Sequence, residues 1–474
     1  AEVKNQSEGN MKSEKRLFYR KLWGLVLPIT IQNLMTALVS ASDAFMLGFV
    51  SQTSLSAVSL ATQVQFVHNL FMLALTIGAT TLAAQYWGKG DTDSVEEILA
   101  IVLKISMAVS FVLFAAAMFL PGSLMRIFTD DPELIRAGIP YLRIVSASYL
   151  FLGFSQIYLC IMKNSGRTPR STVYGSAAVV INIILNAVFI FGLAGFPVMG
   201  IAGAALATTV SRAIEFLLTL YENTKRSLVC IRAKYIRHSS AKLRKDFWRY
   251  TAPVLGNELV WGCGFTMFSV IMGHLGTDAV AANSVANILK NIIACVCNGI
   301  GTGAGIIVGN ELGKGKLEQA REYGDRFFKL AVFTGTVSGI ILLAVSPVLQ
   351  IFTGSLSAQA HSYLKNMMYI CTYYMVGKSV NATVIAGVFC AGGDTTFGLK
   401  CDAVTMWVVL IPAGMIAAFV LKLPVMLVYF IVSMDEVLKL PAVYAHYKKY
   451  RWVRNLTEND RLYDSKSETG LERV

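Results

Sequence analysis

Residues 22–50, LWGLVLPITIQNLMTALVSASDAFMLGFV, read as one membrane helix with two anomalies. Pro28, near its start, interrupts the helical hydrogen-bond ladder and frees a carbonyl. Fifteen residues further on, Asp43 falls inside the hydrophobic span. An ionised Asp at the bilayer centre costs roughly 2.5–3.5 kcal/mol on insertion scales, so such residues face a bundle interior or a wet cavity. The competing account places Asp43 close enough to the end of its span to cap the next loop and touch headgroup water.

The composition supports the membrane reading. Of 474 residues, 55% are hydrophobic and 15% charged, and the mean hydropathy is +0.55, too apolar for an ordinary soluble domain, whose charged fraction is about 25%. The formal charge of +13 raises the prospect of a nucleic-acid partner. Its Lys and Arg lie between apolar runs and at the tails, as the positive-inside bias requires, and form no aromatic-interleaved basic domain. The eight cysteines contain no CxxC pair and fall mostly in apolar segments, which excludes a disulfide framework and argues against a metal site.

Apolar runs long enough to cross a core of roughly 30 Å recur near residues 22–48, 55–80, 98–120, 140–162, 172–193, 201–222, 249–274, 281–306, 327–349, 363–390, 400–421 and 424–445. The fold class is therefore all-α and polytopic, with twelve transmembrane helices. The predicted organisation is a cytoplasmic tail over 1–21, an N-lobe over 22–222, a basic linker over 223–248, a C-lobe over 249–445 and a second cytoplasmic tail over 446–474. The N-terminus shows no cleavable signal and runs straight into a full-length span. Lys89, Lys163, Arg167, Arg170 and the linker lysines and arginines lie on one side, whereas SQTS, GLAGFPVMG and TGSLSAQAH carry no Lys or Arg. Both tails are thus expected on the cytoplasmic face of the cell membrane. The linker charge reads as topology-setting or lipid-facing.

The chain aligns with itself. A shift of 225 residues superposes Pro28 on Pro253, Gly48 on Gly273, Ala57 on Ala282, Ser59 on Ser284, Gly78 on Gly303, and Gly88, Lys89, Gly90 on Gly313, Lys314, Gly315. The shift spans an even number of helices, so the two six-helix halves keep one orientation and form a parallel repeat about an axis along the membrane normal. Two packed lobes suit alternating access. No GxxxxGK[ST] loop is present for coupling to ATP, which leaves an ion gradient as the energy source.

Several segments together resemble the multidrug and toxic compound extrusion (MATE) family over roughly residues 17–457. They are LPITIQNLMTALVSASDAFMLG in the first span, GKGD after the second, NIILNAVFIFG in the fifth, GIAGAALATT opening the sixth, GNELGKG after the eighth, AGGDT after the tenth and KKYRWVRNLT in the tail. The resemblance implies a twelve-span efflux carrier exporting amphipathic organic cations in exchange for protons or sodium, with no cofactor beyond the coupling ion. Asp43 matches the family's first-helix acid and Asn182 the fifth-helix asparagine that contacts it. Where many relatives place a second carboxylate, this chain has Asn186, which makes protonation of Asp43 the simpler switch. Thr208 is a further candidate oxygen. Glu258 lies about a turn from the seventh-helix glutamate of some relatives.

Asn182 and Asn186 are one helical turn apart and share a face, so their oxygens can join Asp43 around a cation or water cluster. The alternative is plain interhelical hydrogen bonding. Under the 225 shift Asp43 falls on Phe268 and Asn33 on Glu258, giving each lobe its own acid at a different depth. Lys290, Lys378, Asp402, Asp435 and Glu436 are further intramembrane charges, and burial demands partners for them. Lys378 is expected to pair with Glu258 or Asp402, and Asp402 and Lys439 to snorkel near an interface. Glu258, Lys378, Asp402 and Glu436 thus form a candidate network, either a fixed ion lattice or a second cation relay. Pro28 and Pro253 are expected to kink their helices. Met35, Met46, Met72, Phe66, Phe71, Trp261, Met267 and Phe268 are candidate cleft surfaces for flat apolar cations, and the lone His68 reads as structural.

The expected function is therefore a monomeric, inner-membrane, cation-coupled exporter, with protons favoured over sodium and Asp43 the principal coupling acid. It is not an enzyme and binds no nucleic acid; its partners are small amphipathic cations and the lipid bilayer. The alternative is a flippase of the same wider superfamily moving lipid-linked sugars, which calls for a more cationic cleft.

Overall fold

The computed structural model describes residues 2–48, 52–225, 228–352 and 357–458. Among them every regular element is helical. The first repeat comprises α1 (Glu2–Gly48), α2 (Gln52–Lys89), α3 (Thr92–Phe119), the short α4 (Pro121–Phe128), α5 (Pro132–Asn164), α6 (Thr168–Phe191) and α7 (Gly200–Thr224). After the short α8 (Ala233–Arg237), the second repeat runs through α9 (Ala241–Gly273), α10 (Thr277–Gly313), α11 (Leu317–Phe352) and α12 (Ala358–Asn381). It continues with α13 (Thr396–Asp402), α14 (Ile411–Met415), α15 (Val425–Val432), α16 (Asp435–Leu438) and α17 (Leu440–Tyr447). Ten helices are long and apolar enough to cross a membrane. Residues 358–391 and 425–447 supply the two further rods, each broken or bearing charge, which completes twelve.

The repeat seen in sequence is present in the backbone. Adding 225 to the bounds of α2 gives those of α10 to within one residue, and the start of α3 likewise becomes the start of α11. The turns that follow are the same object twice. Gly90 has φ +84° and Gly315 φ +75°, a left-handed backbone that glycine adopts at little cost. Asp91 N donates to Tyr86 O and Lys316 N to Glu311 O, each at 3.0–3.1 Å. GKG is thus a helix stop, and its duplication is conformational.

Two expected boundaries move. α1 extends back to Glu2 and α9 to Ala241, because Lys, Glu and Arg propagate a helix as readily as apolar residues do. Pro28 and Pro253 both lie within continuous helices. The linker is also more engaged than a topology signal requires. Arg232 Nε meets Glu96 Oε2 at 2.5 Å, Cys230 N donates to Glu96 Oε1 at 3.0 Å, and Ser240 N donates to Glu97, pinning 230–240 to the first turns of α3.

Compactness divides the described chain into two units. Unit 1 holds the residues up to Thr30, Thr80–Asp91 and those from Cys263 onward; unit 2 holds Ile31–Ala79 and Thr92–Gly262. In unit 1, Phe18, Leu22 and Val26 of α1 pack with Ile300, Ala304 and Ile307 of α10 and with Tyr323 and Phe327 of α11. Trp452, with no exposed surface, closes the same core against Tyr447. Lys21 and Lys314 both hold Glu311, at 2.9 and 3.0 Å. Gln85 Nε2 donates to Ala391 O at 2.7 Å, and its Oε1 accepts from Leu456 N at 2.7 Å. The core of unit 2 joins Val58, Ala61 and Val64 of α2 to Tyr141, Val145 and Tyr149 of α5 and to Ala204 and Ala205 of α7.

α2 and α10 meet along small residues. A Cβ on Gly88 would sit 2.1 Å from Asn310 O, and one on Gly313 would sit 1.9 Å from Gln85 O. Since 310 and 313 are 85 and 88 shifted by 225, the two contacts are images of one another. That is what a two-fold axis running between the two helices produces.

Candidate functional site

Unit 2 carries a polar chain between α6 and α7. Asn182 and Asn186 are buried, at 5% and 0% exposure. Asn186 Nδ2 donates to Asn182 Oδ1 at 3.2 Å. Asn182 Nδ2 donates in turn to Thr208 Oγ1 at 3.4 Å and to Ser211 Oγ at 3.3 Å. A spacing of four on α6 and of three on α7 brings these amides and hydroxyls onto facing stripes. Thr208, proposed from the sequence, is part of the chain; Ser211, three residues on and on the same face, was missed although that spacing marks it. Asp43 is helical in its backbone, but its side chain lies outside the described residues.

A second polar seam joins α2, α3 and α5. His68 is fully buried with its Nε2 3.0 Å from Ser110 Oγ, and its ring lies 5.4 Å from that of Tyr149. Ser106 Oγ donates to Gly153 O at 2.6 Å and lies 3.3 Å from Met72 Sδ. His68 has the fixed surroundings of a structural histidine. Met72 is turned into this seam at 4% exposure, and so lines no cleft.

The charges of the second repeat meet in unit 1. Lys439 Nζ lies 2.7 Å from Asp402 Oδ1 and 3.2 Å from Glu436 Oε2. Lys378 Nζ lies 3.3 Å from Glu436 Oε1, and Asn381 Nδ2 donates to Glu436 Oε2 at 2.7 Å and to Glu436 O at 2.8 Å. Two expectations change. Asp402 and Lys439 are 5% and 3% exposed and paired with each other, so neither snorkels; a buried charge with a partner at 2.7 Å has no need of the interface. Lys378 reaches Glu436, one turn before Lys439 on the last helix, while Asp402 is taken by Lys439. Glu258 is half-buried on α9 and belongs to unit 2.

The network sits where the helices lose α geometry. Asn381 is the last α-helical residue before a π-helical stretch over Ala382–Phe389, and Asp402 the last before another over Ala403–Leu410. Asp435 and Glu436 restart the final helix after the turn at 433–434. The corresponding helices of the first repeat, α5, α6 and α7, are unbroken. π turns and broken spans widen a helix locally, leave room for polar groups and recur at functional sites.

The remaining cleft candidates separate. Met46 packs on the unit 2 core and Phe268 on a cluster of Ile271, Ala417 and Val428 in unit 1, each remaining half-buried. Met35, Phe66, Phe71, Trp261 and Met267 are half-buried.

A family model described as MatE matches residues 28–188 and again 253–416, one match for each repeat. The probable multidrug resistance protein NorM of Thermotoga maritima is 26% identical over 344 residues, covering 72% of this chain and 74% of that protein. The multidrug resistance protein MdtK of Pectobacterium atrosepticum is 25% identical over 420 residues, covering 84% and 87%. Among solved structures, a mutant of the Vibrio cholerae MATE transporter VcmN aligns with a TM-score of 0.84 at 15% identity, over 92% of this chain and 98% of that one. A MOP superfamily transporter from Pyrococcus furiosus aligns with a TM-score of 0.83 at 19% identity, over 91% and 95%. With twelve helical rods in a parallel repeat, and the family model matched on both halves, the chain belongs to the MatE family and is a membrane transporter, not an enzyme.

Proposed function

We propose that this transporter is a drug exporter of the cell membrane that expels amphipathic organic cations in exchange for protons, as a monomer with both tails in the cytoplasm. Sodium is the alternative coupling ion. The relatives named as multidrug resistance proteins support the substrate class.

The observation that carries the coupling reading is a register. Gly175 of α6 lies so close to α1 that a Cβ there would meet Gln32 Nε2 at 2.3 Å. Odd-numbered crossings run in the same direction, so eleven residues further along each helix position 43 comes level with Asn186. That register supports the reading in which the acid of the first span works together with the Asn186–Asn182–Thr208 chain. Those amides and hydroxyls are neutral, so they can accept from a protonated carboxyl and donate to an ionised one without adding charge. Proton and drug then compete for one carboxylate, and alternating access makes that competition an exchange.

The test is ethidium efflux from proteoliposomes under separately imposed proton and sodium gradients. Wild-type protein should respond to the pH gradient, and Asp43→Asn should fall to the rate of empty vesicles. Normal transport by Asp43→Asn would remove coupling from this site, and no efflux by wild-type protein under either gradient would sink the drug-export reading.

A further inference from the structure

Of the acids gathered at the broken helices of unit 1, two are fully committed. Asp402 is held by Lys439, and Glu436 by Lys439, Lys378 and Asn381. Their two carboxylates and the two lysines sum to zero charge. Asp435 is different. It is 5% exposed, yet among the described residues its carboxyl makes no hydrogen bond and has no lysine or arginine within ion-pair distance. Lys439, Lys290, Lys378 and Glu436 are the charged groups in its electrostatic surroundings. Tyr374 of α12 and Tyr429 of α15 share those surroundings, and Tyr429 is itself engaged with Cys371 at 3.1 Å.

Among the described residues, Lys290 of α10, close to this cluster, also has no carboxylate within ion-pair distance. Its ammonium lies 4.7 Å from the centre of the Tyr374 ring, a cation–π contact that holds the charge without neutralising it. Lys290, Tyr374 and Lys378 are half-buried, so the polar groups around the acid are partly accessible.

We propose that Asp435 is a second proton-exchanging carboxylate of this transporter, located in the second repeat, with the Lys378–Glu436–Lys439–Asp402 lattice as its fixed electrostatic frame. This rests on the proton-coupled transport proposed above. Protonating Glu436 or Asp402 breaks an ion pair in a medium where such pairs are expensive to lose. Protonating Asp435 forms one O–H bond and breaks no hydrogen bond or ion pair, so it alone of the three can cycle while the frame stays intact. The π-helical stretches and the break before Asp435 supply the local give that a change of charge demands. Lys290 is the balancing cation, stored on Tyr374 when the acid is neutral and drawn to it when the proton leaves.

The decisive measurement is a pH-difference infrared titration of purified protein in lipid, without drug, in an Asp43→Asn background that removes the first site. A protonated-carboxyl band that fades as pH rises and is absent from Asp43→Asn/Asp435→Asn is the expected result, and Lys290→Met should move the fading to higher pH by withdrawing a nearby cation. No titrating band in the Asp43→Asn background, or one unchanged by Asp435→Asn, overturns the proposal. Should Asp435→Asn fail to fold, Lys290→Met decides by the same criterion, an unmoved titration counting against it. The band is read without substrate, so it stands or falls separately from ethidium efflux.

Discussion

Replacing Lys439 by Met exposes how the second repeat holds its charges. Met keeps most of the volume and all of the apolar stem, so the perturbation is electrostatic. Glu436 loses one of two lysines and retains Lys378 at 3.3 Å and Asn381 at 2.7 Å. Asp402 loses its ion pair at 2.7 Å, at 5% exposure. Stranding a buried charge in this way costs about 3–5 kcal/mol. For a compact unit of this size that is a fall of roughly 6 °C or more in melting temperature. Removing Asp402 as well, in Lys439→Met/Asp402→Leu, takes away the stranded charge, and replacing a whole buried pair is often close to neutral. Most of the loss should therefore return. The assay is thermal unfolding in detergent followed by loss of the monodisperse gel-filtration peak, across the four corners of a double-mutant cycle. A single Lys439→Met that melts within about 1 °C of wild type, or a double variant no better than the single, would refute the reasoning.

Gly88→Ala and Gly90→Ala should separate two kinds of glycine in one motif. The first drives a Cβ to 2.1 Å from a backbone carbonyl and should abolish folded protein, while the second meets open space at φ +84° and should cost only about 1–2 kcal/mol of left-handed strain; equal yields from the two would contradict the close helix crossing. Trp452→Ala empties a fully buried site beside Tyr447 and should cost about 3–5 kcal/mol, visible as a sharp drop in melting temperature; a melting temperature unchanged from wild type would contradict that packing. Asn182→Leu cuts the α6–α7 chain at its centre; efflux should fall much further than stability, and parallel losses of both would reduce the asparagines to interhelical glue.

Much of this was readable from the chain alone, for identifiable reasons. The repeat was legible because its markers are glycines and prolines, residues whose backbone demands are met in few ways; Gly90 and Gly315 share one turn for that reason. Asn182, Asn186 and Thr208 were singled out through the family resemblance, and the shared face of the two asparagines through their spacing of four. The pairing of charges was not legible. Lys378 chose Glu436, and Lys439 went inward, because the last three rods depart from α geometry, and a π stretch such as ATVIAGVF carries no mark in its sequence. Depth counted along an ideal helix then misplaces everything after the break. Cleft surfaces such as Met46, Met72 and Phe268 could not be singled out for a different reason: methionine and phenylalanine on a membrane helix fit lipid, core and ligand equally well.

The mirrored contacts of Gly88 with Asn310 and of Gly313 with Gln85 have a historical meaning. Residue i touching j while the image of j touches the image of i is the signature of an isologous interface, the kind by which two identical subunits form a closed pair. Fusion of two such subunits into one polypeptide preserves the crossing and releases each copy from matching the other. What followed is written in the two halves. The matched crossing carries glycines in both halves, while helices away from it differ, one half holding a neutral chain of amides and the other a lattice of opposite charges.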